Sequence, residues 1–245
     1  MVTGIQKPSW FLDHSNISYH DTAIIGQGNF AIVFKGTIKQ EDVTKDVAVK
    51  KCISKRANTF TQEEHKKARD DMVKEAKKLS YFEHRNVVKF YGIACAHPPI
   101  LLVLEYCDGG SWLKVLEEKG NLMTDAEKLI CLVDAASGME YLHINRLIHN
   151  DVAVRNFLIS SEGIVKVADF GLSILKDEED DGEGGIMTEK HLPIRWMAPE
   201  TFKKPRQFTT KFDVWSFGVV IFEVFTNGDK PFRDWPPKKI STYIR

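Results

Sequence analysis

The nine residues IHNDVAVRN, at positions 148–156, decide how the rest of the chain is interpreted. They place a histidine, an aspartate, an arginine and an asparagine directly after an amphipathic helical pattern. Such a stretch is either a polar connection or a catalytic loop. In a catalytic loop, Asp151 would take a proton from a substrate hydroxyl, and Asn156 would hold a metal ion through its amide oxygen. That interpretation makes demands on the rest of the sequence, and Asn150 beside the aspartate also needs an explanation.

The composition excludes several classes of protein. Lys plus Arg equals Asp plus Glu, at 34 each, so no basic excess points to a nucleic-acid partner. The 4 cysteines lack the close spacing of a zinc site, which favours reduced thiols. The longest apolar run, at 214–225, is too short to span a bilayer, and the N-terminus lacks a signal-peptide pattern. We therefore expect no transmembrane segment and a cytoplasmic location.

The pattern of apolar residues changes in the middle of the chain. Residues 1–20 are predicted to be irregular, and from Thr22 short β-branched runs alternate with turn residues, which predicts antiparallel strands. A polar helix follows at 61–82, before two more strands and a break at 108–110. Helical patterns dominate after that break. The sequence therefore predicts an α+β protein with a β-rich first lobe and a helical second lobe. The polar helix is predicted to bury one narrow stripe, which comprises Ala68, Met72, Ala76 and Leu79.

Two helices of the second half carry recognisable end signals. Thr124 with Glu127 three residues later is a capping-box pattern. Asp213 is predicted to cap the helix over 214–225, and Asn227 with Gly228 to end it. The helix after Thr124 is expected to bury one apolar stripe, which comprises Leu129, Leu132, Val133, Ala136, Met139 and Leu142.

The stretch GQGNFA at 26–31 carries two glycines of a phosphate-binding pattern, with alanine in the third place. A plain β-turn is the alternative. A dinucleotide site needs a helix after the glycines, but FAIVFKGTI alternates like a strand, and no Gly-Lys-Ser/Thr follows for an NTPase P-loop. A glycine loop that closes a β-hairpin matches the flap over ATP in protein kinases. The residues of that predicted loop are Gly26, Gln27, Gly28, Asn29, Phe30 and Ala31.

The flap interpretation requires further residues in a fixed order. Lys50, in the stretch VAVK, would hold the α- and β-phosphates of ATP. Glu75 would pair with Lys50, although an exposed helix-surface pair is the competing interpretation because Glu63 and Glu64 are nearby. Asp169, in the tripeptide DFG, would be the second metal ligand beside Asn156.

These motifs, with APE at 198–200, make the chain similar to the protein kinase family from about Thr22 to its last residue. Within the family, the chain resembles the tyrosine kinases most. Ala153 stands where serine/threonine kinases have lysine, and Arg155 follows two residues later. PIRWMAPE, which begins at Pro193, resembles the substrate platform of tyrosine kinases. The segments WFLDHSNI and GQGNF resemble the Fes/Fer non-receptor group. In that group an SH2 domain precedes the kinase domain, so a longer parent protein would carry one.

The resemblance implies the activity and the site. The chain would transfer the γ-phosphoryl group of ATP to tyrosine of protein substrates with Mg²⁺, using Asp151 as base and Arg155 beside it. It implies an extension at 1–20 and a kinase domain at 21–245, with an N-lobe to about 106 and a C-lobe from about 107 that lacks its last helices. The adenine site would comprise Val33, Ala48, Leu104 as gatekeeper, Leu158, and the backbone from Glu105 to Cys107.

The chain departs from the family in the phosphate switch. Most members have arginine where this chain has Asn150, and that arginine pairs with a phosphotyrosine of the activation segment. Residues 169–200 contain no tyrosine, and the usual position falls near Glu183. Both halves of the switch are missing, which predicts activity without activation-segment tyrosine phosphorylation. Ser173 and Thr188 are the remaining phosphorylation candidates there. A pseudokinase, or a nucleotide-binding scaffold that acts through protein contacts, is the alternative.

Two further departures concern the flap and the end of the chain. Ala31 in the third glycine place should stiffen the flap without blocking phosphate binding. The sequence stops at KKISTYIR, before the helices whose arginine pairs with the glutamate of APE in the family. Glu200 is therefore expected to be a buried carboxylate without a partner, at a cost to stability.

Overall fold

The computed structural model describes residues 8–27, 31–41, 43–52, 62–175, 193–202 and 208–244, without the side chains of 62–65, 67 and 68. The chain forms two compact units. The first is Met1–Glu83 with Val88–Cys107, and the second is His84–Val87 with Asp108–Arg245. In the described part of the chain, no helix is long and apolar enough to cross a membrane.

The first unit is a five-stranded antiparallel sheet with one helix. The strands are β1 (Ile17–Gln27), β2 (Ala31–Gln40), β3 (Val43–Cys52), β4 (Phe90–Ala94) and β5 (Leu101–Glu105), in the order β1-β2-β3-β5-β4. Helix α1 (Gln62–Leu79) buries Met72, Ala76 and Leu79 of its predicted stripe, and the side chain of Ala68 lies outside the described residues. One face of the sheet forms an apolar core, which comprises Ile17, Ile38, Val47, Val49, Ala94, Leu101 and Val103.

The predicted irregularity of residues 1–20 is wrong at its C-terminal end. Strand β1 begins at Ile17, and Tyr19 pairs with Gly36 of β2. The residues before it also pack, because Leu12 N–H donates to the Ile93 carbonyl at 2.9 Å. The polar residues of 18–21 gave no apolar signal, and the pairing partner on β2 supplies the missing contacts.

The second unit combines short strands with helices. Its helices are α2 (Trp112–Lys119), α3 (Asp125–Ile144), α4 (Thr210–Phe225) and α5 (Pro237–Ile244). Its strands are β6 (Gly110–Ser111), β7 (Leu147–Ile148), β8 (Phe157–Ile159), β9 (Val165–Val167) and β10 (Ile174–Leu175). Strands β6, β8 and β9 form one antiparallel sheet, and β7 pairs with β10.

Helix α3 confirms its start signal and corrects its stripe. Thr124 and Glu127 form the predicted capping box. Leu132, Met139 and Leu142 are buried. Gly138 is buried with them, and glycine is needed there because a Cβ would lie 2.4 Å from the carbonyl oxygen of Asn86. The helix is apolar on a second face as well, so periodicity could not tell which face is covered. The predicted stripe residues that are exposed are Leu129, Val133 and Ala136.

Helix α4 begins one turn before the predicted cap. Thr209 is the N-cap, and its side chain accepts from Lys211 N–H. Asp213 therefore lies inside the helix and is fully buried, which corrects its predicted capping role. The helix ends at Phe225 with Thr226 as its C-cap, directly before Asn227 and Gly228, whose positive φ angles of 56° and 91° prevent its continuation as predicted. Glu200 is exposed to solvent, so the predicted buried carboxylate and its cost to stability are wrong.

Candidate active site

Lys50 and Glu75 form an ion pair in the first unit. Lys50 Nζ donates to Glu75 Oε1 at 2.8 Å and to Oε2 at 3.2 Å. Glu75 belongs to the buried face of α1, beside Met72 and Ala76, and only 9% of its side chain is exposed. Burial in that stripe separates Glu75 from the exposed acidic residues of the same helix, so the surface-pair interpretation does not apply to it.

The register of the sheet places four predicted nucleotide-site residues on one face. Val33 pairs with Lys50, and Ala48 pairs with Leu104. Directly paired residues point to the same side, as do alternate residues along a strand. The opposite face carries Val47, Val49 and Val103 of the apolar core. The sheet thus separates its packing residues from the residues predicted to face the nucleotide.

The glycine loop connects two paired strands. Gly26 pairs with Val33 of β2, and Gln27, the last residue of β1, pairs with Ile32, so the two strands that flank the loop form an antiparallel pair. Ala31 is buried at the start of β2. Gly28, Asn29 and Phe30 lie outside the described residues. Their predicted contact with phosphate stays a prediction.

The remaining adenine-site residues lie in β5, directly after it, and in β8. Glu105 ends β5, and its backbone N–H donates to the Lys89 carbonyl at 2.8 Å, so that N–H is already used within the sheet. Cys107 follows and is buried. Leu158 belongs to the second unit, where it pairs with Ser111 of β6 and Lys166 of β9. The hinge role of 105–107 stays a prediction.

Asp151 is held through both of its carboxylate oxygens. Arg155 Nη2 contacts Asp151 Oδ1, and Asn156 Nδ2 donates to Asp151 Oδ2 at 2.8 Å. The carboxylate is 15% exposed, so it is accessible at one side. Arg155 also lies over the ring of Trp196, at 4.4 Å from its centroid. These contacts fix the carboxylate in one orientation, as a group that accepts a proton at a defined place requires.

Two buried carboxylates of α4 anchor the loop that carries Asp151. Asp213 accepts from the backbone N–H of His149 at 2.7 Å and of Asn150 at 2.9 Å. Glu223 accepts from Val154 N–H at 3.1 Å and from Trp196 Nε1 at 2.9 Å. The loop is therefore bound to the helix through its backbone, before and after Asp151.

Burial raises the pKa of Glu223 above its ordinary value, while the bonds from Trp196 and Val154 and the charge of Arg155 oppose that rise. The sequence did not single out Asp213 or Glu223 as residues that hold the loop. The available signal was an acidic residue inside an apolar helix, because a buried carboxylate needs hydrogen-bond donors around it.

His149 links the loop to the residue before Asp169. Its Nδ1 accepts from Asp151 N–H at 3.3 Å, and its Nε2 contacts the Ala168 carbonyl at 3.0 Å. A carbonyl can only accept, so the neutral ring carries its proton on Nε2. The imidazole lies 5.4 Å from the ring of buried Phe170. His149 therefore fixes the DFG segment beside the catalytic loop.

The two predicted magnesium ligands suit that ion. Asn156 Nδ2 is turned toward Asp151, which leaves the amide oxygen Oδ1 for a cation. Ala168 N–H donates to the Asn156 carbonyl at 2.9 Å. Because Asp169 is the residue after Ala168, this bond keeps the backbone of Asp169 close to that of Asn156. Among the described residues, no group of three His, Cys, Asp or Glu could hold a metal ion. An amide and a carboxylate are nonetheless the sparse oxygen set that magnesium takes alongside phosphates.

The PIRWMAPE platform is tied to the turn before α5. Pro193 precedes the short helical turn Ile194–Trp196. Arg195 donates to the carbonyls of Pro231 and Phe232 and, at 3.0 Å, of Trp235. The activation segment between 176 and 192, with Glu183 and Thr188, lies outside the described residues. Ser173 is buried and donates to the Phe170 carbonyl at 2.7 Å, which argues against its phosphorylation in this conformation.

Comparison with known proteins gives one consistent family. A model of the protein tyrosine and serine/threonine kinase family matches residues 20–245. Fer-related kinase 1 of Caenorhabditis elegans is 35% identical over 228 residues, which are 93% of this chain and 54% of that protein. Spermatocyte protein spe-8 of the same organism is 33% identical over 234 residues, 95% of this chain and 43% of that protein.

The human tyrosine-protein kinase Fer is 34% identical over 223 residues, 91% of this chain and 25% of that protein. The predicted likeness to the Fes/Fer group is therefore confirmed. The chain spans between about a quarter and about half of the length of these relatives.

Proposed function

Because the chain belongs to the protein tyrosine and serine/threonine kinase family, we propose that it transfers the γ-phosphoryl group of ATP to tyrosine side chains of proteins. The observation that carries the proposal is the bonding of Asp151, whose two carboxylate oxygens meet Arg155 and Asn156 in a loop anchored at both ends. The family uses ATP and Mg²⁺ in general, and the residues of this chain suit both.

The roles follow from the chemistry of each side chain. Asp151 orients the tyrosine hydroxyl and takes its proton, and Arg155 keeps that carboxylate in place. Lys50, held by Glu75, binds the α- and β-phosphates. Asn156 and Asp169 would hold Mg²⁺, which would supply neutralisation of the phosphate charge. Positioning and charge neutralisation supply the rate, because phosphoryl transfer needs little covalent work from the protein.

Substrate choice rests on three features. Ala153 and Arg155 occupy the loop positions that differ between kinase classes, and Arg155 stacks on Trp196 of the platform. Pro193 offers a flat apolar surface to a phenol ring. The acceptor is therefore tyrosine rather than serine or threonine. A cytoplasmic location and an SH2 domain in a longer parent protein are part of the same proposal, by resemblance to the non-receptor group.

The activity is proposed to be independent of activation-segment tyrosine phosphorylation. Residues 169–200 contain no tyrosine, and a neutral asparagine stands where a phosphate-binding arginine is usual. Asp213 and Glu223 accept hydrogen bonds from backbone N–H groups of the loop and hold it without any phosphate. The same two departures also fit a nucleotide-binding scaffold, which is the second candidate.

The deciding experiment measures phosphate transfer to tyrosine and serine polymers by the purified protein with ATP and Mg²⁺. Asp151→Asn removes the proton acceptor and should lower tyrosine phosphorylation by at least about 100-fold. Asp125→Asn, at the exposed start of α3, is the matched control and should keep full activity. Equal, negligible signals from all three proteins would support the scaffold.

A further inference from the structure

Asn150 adopts a backbone conformation that few residues accept. Its φ angle is 64°, in the left-handed region, and its backbone N–H donates to Asp213 Oδ1 at 2.9 Å. Asparagine and aspartate are the non-glycine residues that tolerate this region best. The side chain is also fully buried. Asparagine at this position thus suits the bend that follows strand β7.

The amide of Asn150 reaches the segment that follows DFG. Its Nδ2 donates to the Leu172 carbonyl at 3.2 Å. Leu172 comes directly after Gly171, and Ser173 and β10 follow it. The bond therefore joins the residue before Asp151 to the first residue after the predicted metal-binding tripeptide.

The contact continues the register of the neighbouring strands. Leu147 pairs with Leu175, and Ile148 pairs with Ile174, in antiparallel order. Continued by two residues on each side, the same register brings Asn150 opposite Leu172. Because the left-handed bend at Asn150 turns the backbone away from strand geometry, a side-chain donor replaces the backbone donor there. One amide extends the β7–β10 pairing past the point where the strands end.

We propose that Asn150 is a positioning residue, which fastens the start of the activation segment to the catalytic loop with a neutral amide. An arginine at this position would bring a positive charge into a buried site, whereas the asparagine amide is neutral and its donor needs only one backbone carbonyl. This bond, called the tether below, rests on the proposed function in one respect. In the unmodified chain it would order the activation segment, as a phosphate does in other kinases.

The second polar atom of the amide supports a positional role. Among the described residues, Asn150 Oδ1 has no hydrogen-bond donor although it is buried. A buried acceptor without a donor is costly, so an apolar side chain would be the better choice for packing alone. The donor half of the amide offsets that cost through its bond to Leu172. The bond to the Leu172 carbonyl, rather than the packing of the side chain, therefore explains why asparagine suits this site.

The test is hydrogen exchange of the backbone amides in residues 170–175 of the full chain. Asn150→Gly removes the amide and keeps the left-handed backbone. Loss of one net hydrogen bond should speed exchange in 170–175 about fivefold and leave α3 unchanged. Asn145→Gly is the matched control, because Asn145 Nδ2 donates to the Tyr141 carbonyl at 2.8 Å at an exposed helix end. The control should not alter exchange in 170–175.

Phosphate transfer is measured on the same proteins. Asn150→Gly should lower kcat for the tyrosine polymer, with little change in the KM for ATP, because the first unit is untouched. Unchanged exchange in 170–175, or equal acceleration there and in α3, would overturn the tether. The exchange result needs no catalysis, so an inactive wild-type chain would refute the proposed function and leave the tether standing.

Discussion

The two units hold their predicted functional groups in different ways. In the first unit, Lys50 is bonded to the side chain of Glu75, and 18% of the lysine side chain is exposed. In the second unit, α4 binds the backbone of the catalytic loop through Asp213, whose side chain is fully buried. A side-chain pair depends on the placement of one helix, whereas backbone anchors hold a loop whatever side chains it carries. Damage to the anchors should therefore unfold the unit, and damage to the pair should mainly cost activity.

The largest effect is expected from Asp213→Ala. The change leaves the buried N–H groups of His149 and Asn150 without an acceptor and removes the contact with His143 Nε2 at 2.9 Å. We expect the free energy of unfolding in urea to fall by about 3–5 kcal/mol. Asp234→Ala, at an exposed position of the same unit, should change it by less than about 0.5 kcal/mol. Equal losses in the two variants would remove the distinction between anchors and surface carboxylates.

The next effect is on rate rather than stability. Glu75→Gln keeps the size of the side chain and removes the charge that holds Lys50. We expect kcat/KM for ATP to fall at least about tenfold. The urea midpoint should fall by less than in Asp213→Ala, because glutamine keeps the volume of Glu75 and still offers Lys50 a hydrogen-bond acceptor. Asp70→Asn, on the exposed face of α1, should leave both quantities unchanged. A large loss of stability in Glu75→Gln would show that the pair is an anchor like Asp213.

The smallest expected effect is on the pH dependence of stability, which should differ between a buried carboxylate and an exposed one. Burial raises the pKa of Glu223, so the folded state binds the proton more tightly than the unfolded state. This contribution to stability is lost as pH rises from the ordinary glutamate value through the raised pKa. Glu223→Gln should therefore gain stability relative to wild type across that window.

Glu127 is the matched exposed glutamate, whose pKa is shifted in the opposite direction from that of Glu223. Bonds from Thr124 lower its pKa, so its contribution is present above the ordinary glutamate value and is lost as pH falls through the lowered pKa. The deficit of Glu127→Gln should accordingly shrink toward acid pH. Urea unfolding of both variants in a pH series measures the two trends. Trends of the same sign would contradict the assignment of burial as the dominant influence on Glu223.

The sequence predicted the parts of the molecule in which the signal is local. Motif spacing made Asp151, Asn156 and Lys50 the candidate site residues, whose roles stay predictions, and helical periodicity placed Glu75 beside the buried residues of α1. The capping box at Thr124 is equally local, because its two partners are three residues apart. Each of these predictions needed only neighbours in the chain.

The missed features depend on partners that are distant in sequence. Asp213 resembled a helix cap until its bonds to residues more than 60 positions earlier were seen. Leu129 and Val133 matched a buried stripe, although the tertiary contacts of α3 lie on its other face. Asn150 was predicted only as one half of a missing phosphate switch. Its bond to Leu172 depends on the register of β7 and β10, which no periodicity encodes.

We propose that the loop around Asp151 is ordered for tyrosine phosphorylation without phosphate on the activation segment. This proposal is tested most directly by treating the purified protein with a phosphatase, verifying the unmodified mass, and measuring the initial rate of phosphate transfer to a tyrosine polymer. The account predicts the same rate before and after treatment. A rate that is lost on treatment and recovered on rephosphorylation would contradict it.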